Sequence, residues 1–87
     1  MKLIFSPLAE KQLKKLPKVA QLSIAGKVRG LHMGNLANVK KLKGYKNLFR
    51  ARAGNYRIVY RRFSDEVYIV LVAHRKEAYL LTRKILG

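Results

Sequence analysis

Four arginines alternate with apolar or small residues on both sides of a predicted hairpin turn. They are Arg50, Arg52, Arg57 and Arg61, and the turn is Gly54-Asn55, a pair suited to a two-residue type II′ hairpin. That turn predicts that Arg52 lies opposite Arg57. Because side chains alternate between the two faces of a strand, all four arginines fall on one face. The other face is suited to cover by helices, since it carries Phe49, Ala51, Tyr56, Ile58 and Tyr60.

The pairing of Arg52 with Arg57 would destabilise the hairpin, because like charges directly opposite each other across two strands repel. A bound anion would relieve that repulsion, which makes this face a candidate phosphate site. The alternative is that the basic face arose by chance and is only solvated.

The apolar run 66–73 predicts a third, central strand. A turn at Ser64-Asp65 would place Val72 beside Arg57, and the same register sets Val70 beside Val59 and Tyr68 beside Arg61. The strand would then deliver His74 and Arg75 to the turn end of the hairpin, with Tyr79 a few residues on. We therefore expect one cluster to form from Arg50, Arg52, Arg57, Arg75 and Tyr79.

Such a cluster fits a nuclease that needs no metal. Arginine offers a rigid fork of donors that matches phosphate, and several arginines can stabilise the charge that develops when an RNA 2′-hydroxyl attacks the adjacent phosphate. A tyrosine beside them can stack on an extruded base. His74 is a possible acid or base, or it only ends a strand. The four acids, Glu10, Asp65, Glu66 and Glu77, form no metal-ligand motif with either histidine.

The remaining pattern predicts the elements that position these residues. Residues 2–5 predict a strand, and Ser6 followed by Pro7 predicts the start of a helix over 7–15 that Pro17 ends. A second helix is predicted over 18–31 and a loop over 32–38, followed by strands at 47–53, 56–62 and 66–73. Residues 76–86 predict a short final helix. We expect one domain, residues 1–87.

The net charge limits the classes of binding partner. The 87 residues carry 20 Lys and Arg against four Asp and Glu, a net charge of +16, which favours a polyanion such as RNA. An acidic protein is an alternative, and an anionic membrane is disfavoured because the apolar residues fit a core. The absence of cysteine and of a signal-peptide core in the first residues leads us to expect a cytoplasmic protein.

Several motifs resemble the RelE/ParE toxin superfamily over nearly the whole chain. They are Lys41-Leu42-Lys43-Gly44, Gly54-Asn55-Tyr56-Arg57-Ile58-Val59-Tyr60, and His74-Arg75-Lys76-Glu77-Ala78-Tyr79. The resemblance implies an α+β fold, β-α-α-β-β-β, with a two-helix layer on one face of a small antiparallel sheet. It also implies a toxin that an acidic antitoxin holds inactive. In the RelE branch the toxin cleaves mRNA in the ribosomal A site without a metal, and no cofactor is expected.

The resemblance also implies roles for single residues. Arg50 and Arg52 stand where that branch has catalytic lysines, and Arg57 matches its phosphate-stabilising arginine. Arg75 matches the arginine that assists the leaving group, and Tyr79 the tyrosine that stacks on the substrate. We further expect RNA or phosphate to be bound by Lys41, Lys43 and Arg61.

The two lysine-to-arginine departures bear on activity. Arginine does not readily lose a proton, so a general-base role for Arg50 is disfavoured, and either His74 or an unaided 2′-hydroxyl would fill it. Two other functions stay open. One is a gyrase inhibitor, as in another branch of the superfamily, and the other is a catalytically weak module that only binds antitoxin or RNA.

Overall fold

The computed structural model describes residues 2–87 and has an α+β fold, as predicted. In chain order the elements are β1 (Lys2–Phe5), α1 (Pro7–Lys14), α2 (Lys18–His32), β2 (Val39–Lys41), β3 (Leu48–Ala53), β4 (Tyr56–Arg62), β5 (Glu66–His74) and α3 (Ala78–Leu86). The strands form one sheet in the order β1-β5-β4-β3-β2. None of the helices in the described part of the chain is both long and apolar enough to cross a membrane.

Two details of the predicted sheet are corrected. The sheet is mixed, because β1 runs parallel to β5, and every other pair is antiparallel. Parallel neighbours need a long crossover, which α1, α2 and the intervening strands supply here. The sheet also gains a short edge strand, β2, in the stretch between the predicted loop and the first predicted hairpin strand.

Each face of the sheet has its own helical layer. Helices α1 and α2 bury Ala9, Ile24 and Val28 against the face that carries Ile58 and Tyr60. Helix α3 lies on the opposite face, where a smaller core is formed by Leu42, Leu48, Val59, Val70, Leu71, Ala73 and Ala78. The arginines of the hairpin share this second face, so the α1–α2 layer leaves them uncovered.

The register of the β3–β4 hairpin is the predicted one. Arg52 lies opposite Arg57, and Arg50 lies opposite Val59. At the turn, Gly54 has a φ of +61° whereas Asn55 does not have a positive φ, as a type II′ turn requires. The conformation costs Gly54 little because it has no Cβ.

The predicted β4–β5 register is right at one end and wrong at the other. Tyr68 lies opposite Arg61, but a bulge at Val70 shifts the strand by one residue, so that Ala73, and not Val72, lies opposite Arg57. The Ser6 hydroxyl holds the bulge, since it donates to the Val70 carbonyl (2.5 Å) and accepts from the Ala9 N–H (3.0 Å). The N-cap of α1 thus fixes the bulge.

Candidate functional site

Three arginines meet at the turn end of the β3–β4 hairpin. Arg50 and Arg52 project from β3 and Arg57 from β4, and together with Asn38 and Lys40 they line a hollow of about 210 Å³. Arg52 is exposed, whereas Arg50 and Arg57 are half-buried. The hollow therefore presents several guanidinium groups to solvent on one small area of the sheet.

The side chain of Arg57 is held in place at the turn. Its Nη1 donates to the carbonyls of Gly54 (3.2 Å) and Tyr56 (3.0 Å), so its remaining donors are on Nε and Nη2. Partial desolvation and then the charges of Arg50 and Arg52 lower the pKa of Arg57, with a smaller effect of Arg75 in the same direction. An arginine stays charged at neutral pH even so. Like charges therefore crowd a fixed guanidinium.

Arg75 and Tyr79 complete the group that the sequence predicted. The Arg75 N–H donates to the Asn55 carbonyl (2.8 Å), which joins the end of β5 to the hairpin turn. The Arg50 guanidinium lies over the ring of Tyr79, with 5.2 Å between its carbon and the ring centroid. The structure thus brings together Arg50, Arg52, Arg57 and Arg75, here called the arginine cluster, with Tyr79 beside it. Their chemical roles stay predictions.

The structure does not bring His74 into the arginine cluster. It lies opposite Tyr56, and the two rings meet edge to face with centroids 5.9 Å apart. Its Nδ1 accepts the Lys76 N–H at 3.3 Å. The bulge explains this placement, because the one-residue shift turns Ala73 and Arg75 toward the cluster and His74 toward the α1–α2 side. The predicted acid–base role of His74 is untested and lacks geometric support.

The three other predicted RNA-binding residues are scattered. Lys43 lies beside α3, where it lines a second hollow. Lys41 pairs with Phe49, whose ring packs against the α1–α2 core, and so it lies on the face away from the cluster. Arg61 is four residues along β4 from Arg57, about 13 Å, and donates to the Lys46 carbonyl at 2.6 Å. Their roles also stay predictions.

Lys40 was not among the site residues predicted from the sequence. It pairs with Arg50 across β2 and β3, and so it shares a face with the cluster and lines the same hollow. If residues 39–41 had been predicted as a strand, the alternation of side chains between its two faces would have placed Lys40 and Lys41 on opposite faces of the sheet. Three residues with two lysines carry too weak a β pattern for that prediction.

Metal ligands are sparse in this molecule. Across residues 2–87, no three side chains among His, Asp and Glu lie close enough to hold a metal ion. The chemistry that the arginine cluster itself offers is binding of a phosphate and stabilisation of negative charge on it.

Comparisons with known proteins cover most of the chain. Residues 3–79 match the family model described as the ParE toxin of the type II toxin–antitoxin system parDE. Toxin RelE3 of Methanocaldococcus jannaschii is 34% identical over 84 residues, which cover 91% of this chain and 96% of that protein.

Two solved structures extend the likeness to three dimensions. The RelB–RelE antitoxin–toxin complex of Methanococcus jannaschii matches with a TM-score of 0.73 and 32% identity, over 90% of this chain and 96% of that one. The toxin–antitoxin complex RelBE2 of Mycobacterium tuberculosis matches with a TM-score of 0.74 and 31% identity, over 85% of this chain and 96% of that one. On sequence and fold together, the chain belongs to the RelE/ParE family of type II toxin–antitoxin toxins.

Proposed function

We propose that this toxin is a ribosome-dependent endoribonuclease that cleaves mRNA without a metal. One observation carries the proposal, namely that Arg50, Arg52, Arg57 and Arg75 converge beside the ring of Tyr79. Guanidinium groups bind phosphate bidentately, and an aromatic ring can stack on an unpaired base. Together they recognise a single-stranded RNA with a phosphate exposed for attack.

In the proposed reaction the 2′-oxygen forms a bond to the adjacent phosphorus while the bond from phosphorus to the 5′-oxygen breaks. The products are a 2′,3′-cyclic phosphate and a 5′-hydroxyl. Arg57, fixed by its two carbonyl contacts, stabilises the charge on the non-bridging oxygens. Arg75 donates a hydrogen bond to the leaving oxygen. Water takes the 2′-proton and supplies one to the 5′-oxygen, since arginine holds its protons at neutral pH.

The small size of the site supports the proposed dependence on the ribosome. The hollow is small, about 210 Å³, and it lies between exposed and half-buried side chains, so it offers little to orient a flexible RNA strand. Holding the 2′-oxygen, the phosphorus and the leaving 5′-oxygen in line can remove a large part of the activation barrier. We propose that the ribosome supplies this alignment in the cytoplasm and that the arginine cluster supplies the charge.

The partner that restrains the toxin is proposed to be an acidic antitoxin of the RelB type. The two related structures are both antitoxin–toxin complexes. A net charge of +16 would attract an acidic chain. Exposed apolar side chains on α2, Val19 and Leu22, offer it contacts that salt does not weaken. Co-purification at high salt tests this partner, and a complex that falls apart at modest salt would count against the apolar contacts.

The products test the proposed reaction. Ribosomes programmed with a short mRNA are incubated with the purified chain, and the fragment ends are then determined. We expect 5′-hydroxyl and 2′,3′-cyclic phosphate ends, and no cleavage where the nucleotide before the cut is replaced by its 2′-deoxy form. Cleavage of the 2′-deoxy mRNA would exclude 2′-hydroxyl attack. Intact mRNA throughout, with normal growth and translation in cells that produce the chain, would favour a toxin-like module that only binds.

Gyrase inhibition remains a second candidate because the matching family model is named for the ParE toxin. It predicts inhibited supercoiling by the purified protein and intact mRNA in cells that produce it. Primer extension on cellular mRNA and a supercoiling assay on the same preparation separate the two functions. Cut mRNA with normal supercoiling supports the ribonuclease.

A further inference from the structure

A second, larger hollow lies beside the arginine cluster. It has a volume of about 540 Å³ and lies between the segment that joins β2 to β3 and helix α3. We call it the tyrosine groove and define it by Leu42, Lys43, Tyr45, Tyr79, Thr82 and Arg83. Its volume falls within the range of small-molecule sites, roughly 300–1,000 Å³.

The side chains of the tyrosine groove combine aromatic surface with positive charge. Leu42 is buried and belongs to the second core, and Tyr45 is half-buried against that core. Tyr79 is 45% exposed, and the two cations, Lys43 and Arg83, are exposed. None of the side chains that line the groove is acidic, and two glycines, Gly44 and Gly87, complete the lining. Aromatic rings next to cationic side chains suit an unstacked base that carries a phosphate.

Tyr79 connects the groove to the arginine cluster. Its ring lines the groove and also lies under the Arg50 guanidinium, 5.2 Å from the ring centroid. A strand whose phosphate sits in the cluster therefore has a neighbouring nucleotide at the mouth of the groove. Continuity of this kind favours a nucleic acid strand over an unrelated peptide as the occupant.

We infer that the tyrosine groove binds one base of the RNA next to the phosphate held by the arginine cluster, with Tyr45 as a stacking surface. Lys43 and Arg83 contact the phosphate of that nucleotide. This inference rests on the proposed function and adds a position at which the toxin selects RNA sequence. Stacking accepts every base, and the size of the groove sets which bases fit best.

The test is binding of a short, fluorescently labelled 2′-O-methyl RNA, which cannot undergo 2′-hydroxyl attack. We expect Tyr45→Leu to weaken binding about 5- to 150-fold, the loss that corresponds to one stacked base. Tyr45→Phe keeps the ring and should bind like the wild type. The wild type should bind an RNA with one abasic nucleotide at the groove position less tightly than it binds the full RNA. Tyr45→Leu should bind the two RNAs equally tightly, because the substitution and the abasic nucleotide remove the same contact.

Lys43→Gln keeps the test decisive if Tyr45→Leu fails to fold. Lys43 is exposed, so its replacement should leave the melting temperature unchanged. If Lys43 neutralises one phosphate, the slope of log affinity against log salt becomes shallower by about 0.7. An unchanged slope together with wild-type affinity in Lys43→Gln would overturn the inference.

Arg57→Ala separates this inference from the proposed function. If Arg57→Ala weakens RNA binding and Tyr45→Leu does not, the groove proposal is wrong and the ribonuclease proposal survives. If neither change affects binding, the groove proposal fails, and cleavage by Arg57→Ala on mRNA-programmed ribosomes decides the ribonuclease proposal separately. If Tyr45→Leu weakens binding of an acidic peptide while RNA binding stays at the wild-type level, the groove belongs to a protein partner and the inference is overturned.

Discussion

At the residue scale, the guanidinium of Arg57 is held in a fixed position and is surrounded by like charges that repel it. Two backbone carbonyls hold its Nη1, while partial desolvation and then the charges of Arg50, Arg52 and Arg75 lower its pKa. The folded chain thus keeps like charges together that would separate in the unfolded chain. An anion bound among these charges would relieve their repulsion, so its binding should stabilise the folded chain.

Replacing Arg52 by threonine should raise stability and lower activity. Arg52 lies directly opposite Arg57, and a like-charge pair in that position costs about 0.2–1 kcal/mol. We expect Arg52→Thr to increase the free energy of unfolding in urea by about that amount and to slow mRNA cleavage. Arg62→Thr is the matched control, since Arg62 lies on the same strand as Arg57 but on the other face, and its partner across β4 and β5 is the uncharged Val67. Equal stabilisation by both changes would show that the pair is not the cause.

Burial raises the pKa of the Tyr60 hydroxyl, an effect that Arg62 partly offsets. The unfolded chain then ionises this group at a lower pH than the folded chain does. Tyr60 therefore costs no stability below its ordinary pKa of 10.0, and stability falls as pH rises through the higher folded value. We expect Tyr60→Phe to unfold with a weaker dependence on pH above about 10 than the wild type, measured by urea titrations. An unchanged dependence would contradict this.

At the scale of elements, the hairpin was predictable because its signals are local. Gly54-Asn55 fixes the turn, and the alternation of arginine with apolar residues fixes the register on both sides. Three of the four arginines of the cluster follow from that stretch alone. The bulge in β5 was not predictable in this way, because Val67–Ala73 is apolar throughout except for Tyr68 and gives no alternation to reveal a shift. The hydrogen bond that holds the bulge comes from Ser6, more than sixty residues away in sequence.

The cap at Ser6 should matter for stability beyond its own helix. Ser6→Ala removes the acceptor for the Ala9 N–H and leaves the Val70 carbonyl at the bulge without its donor. We expect a loss of about 0.5–2 kcal/mol from the cap alone, and more from the unpaired carbonyl. Thermal unfolding measures it, with the exposed Ser23→Ala on α2 as the control. A loss no larger than that of Ser23→Ala would contradict the coupling.

At the scale of the whole molecule, the two faces of the sheet have different roles. Helices α1 and α2 close the main core on one face, and α3 on the other face brings Tyr79 to the arginine cluster. The sequence indicated the charge and the fold class. It did not indicate that α3 would take the face opposite the other two helices, because its apolar residues fit either side of a sheet.

Phosphate should stabilise the free toxin through the cluster. A ligand that binds only the folded chain adds about 2.7 kcal/mol of stability at a concentration about 100 times its dissociation constant. We expect phosphate to raise the melting temperature of the wild type more than chloride at equal ionic strength does, and to lose this advantage in Arg57→Ala. The same phosphate-specific rise in both proteins would place the anion elsewhere.

The most direct test of the central claim compares cleavage by three forms of the chain on mRNA-programmed ribosomes. The wild type should cut, and Arg62→Ala, altered on the opposite face of the same strand, should cut at a similar rate. Arg57→Ala should be about 10²–10³-fold slower, the loss expected when one preorganised donor is removed. Cleavage by Arg57→Ala at the wild-type rate, or an equal loss in Arg62→Ala, would show that the arginine cluster is not the site of the reaction.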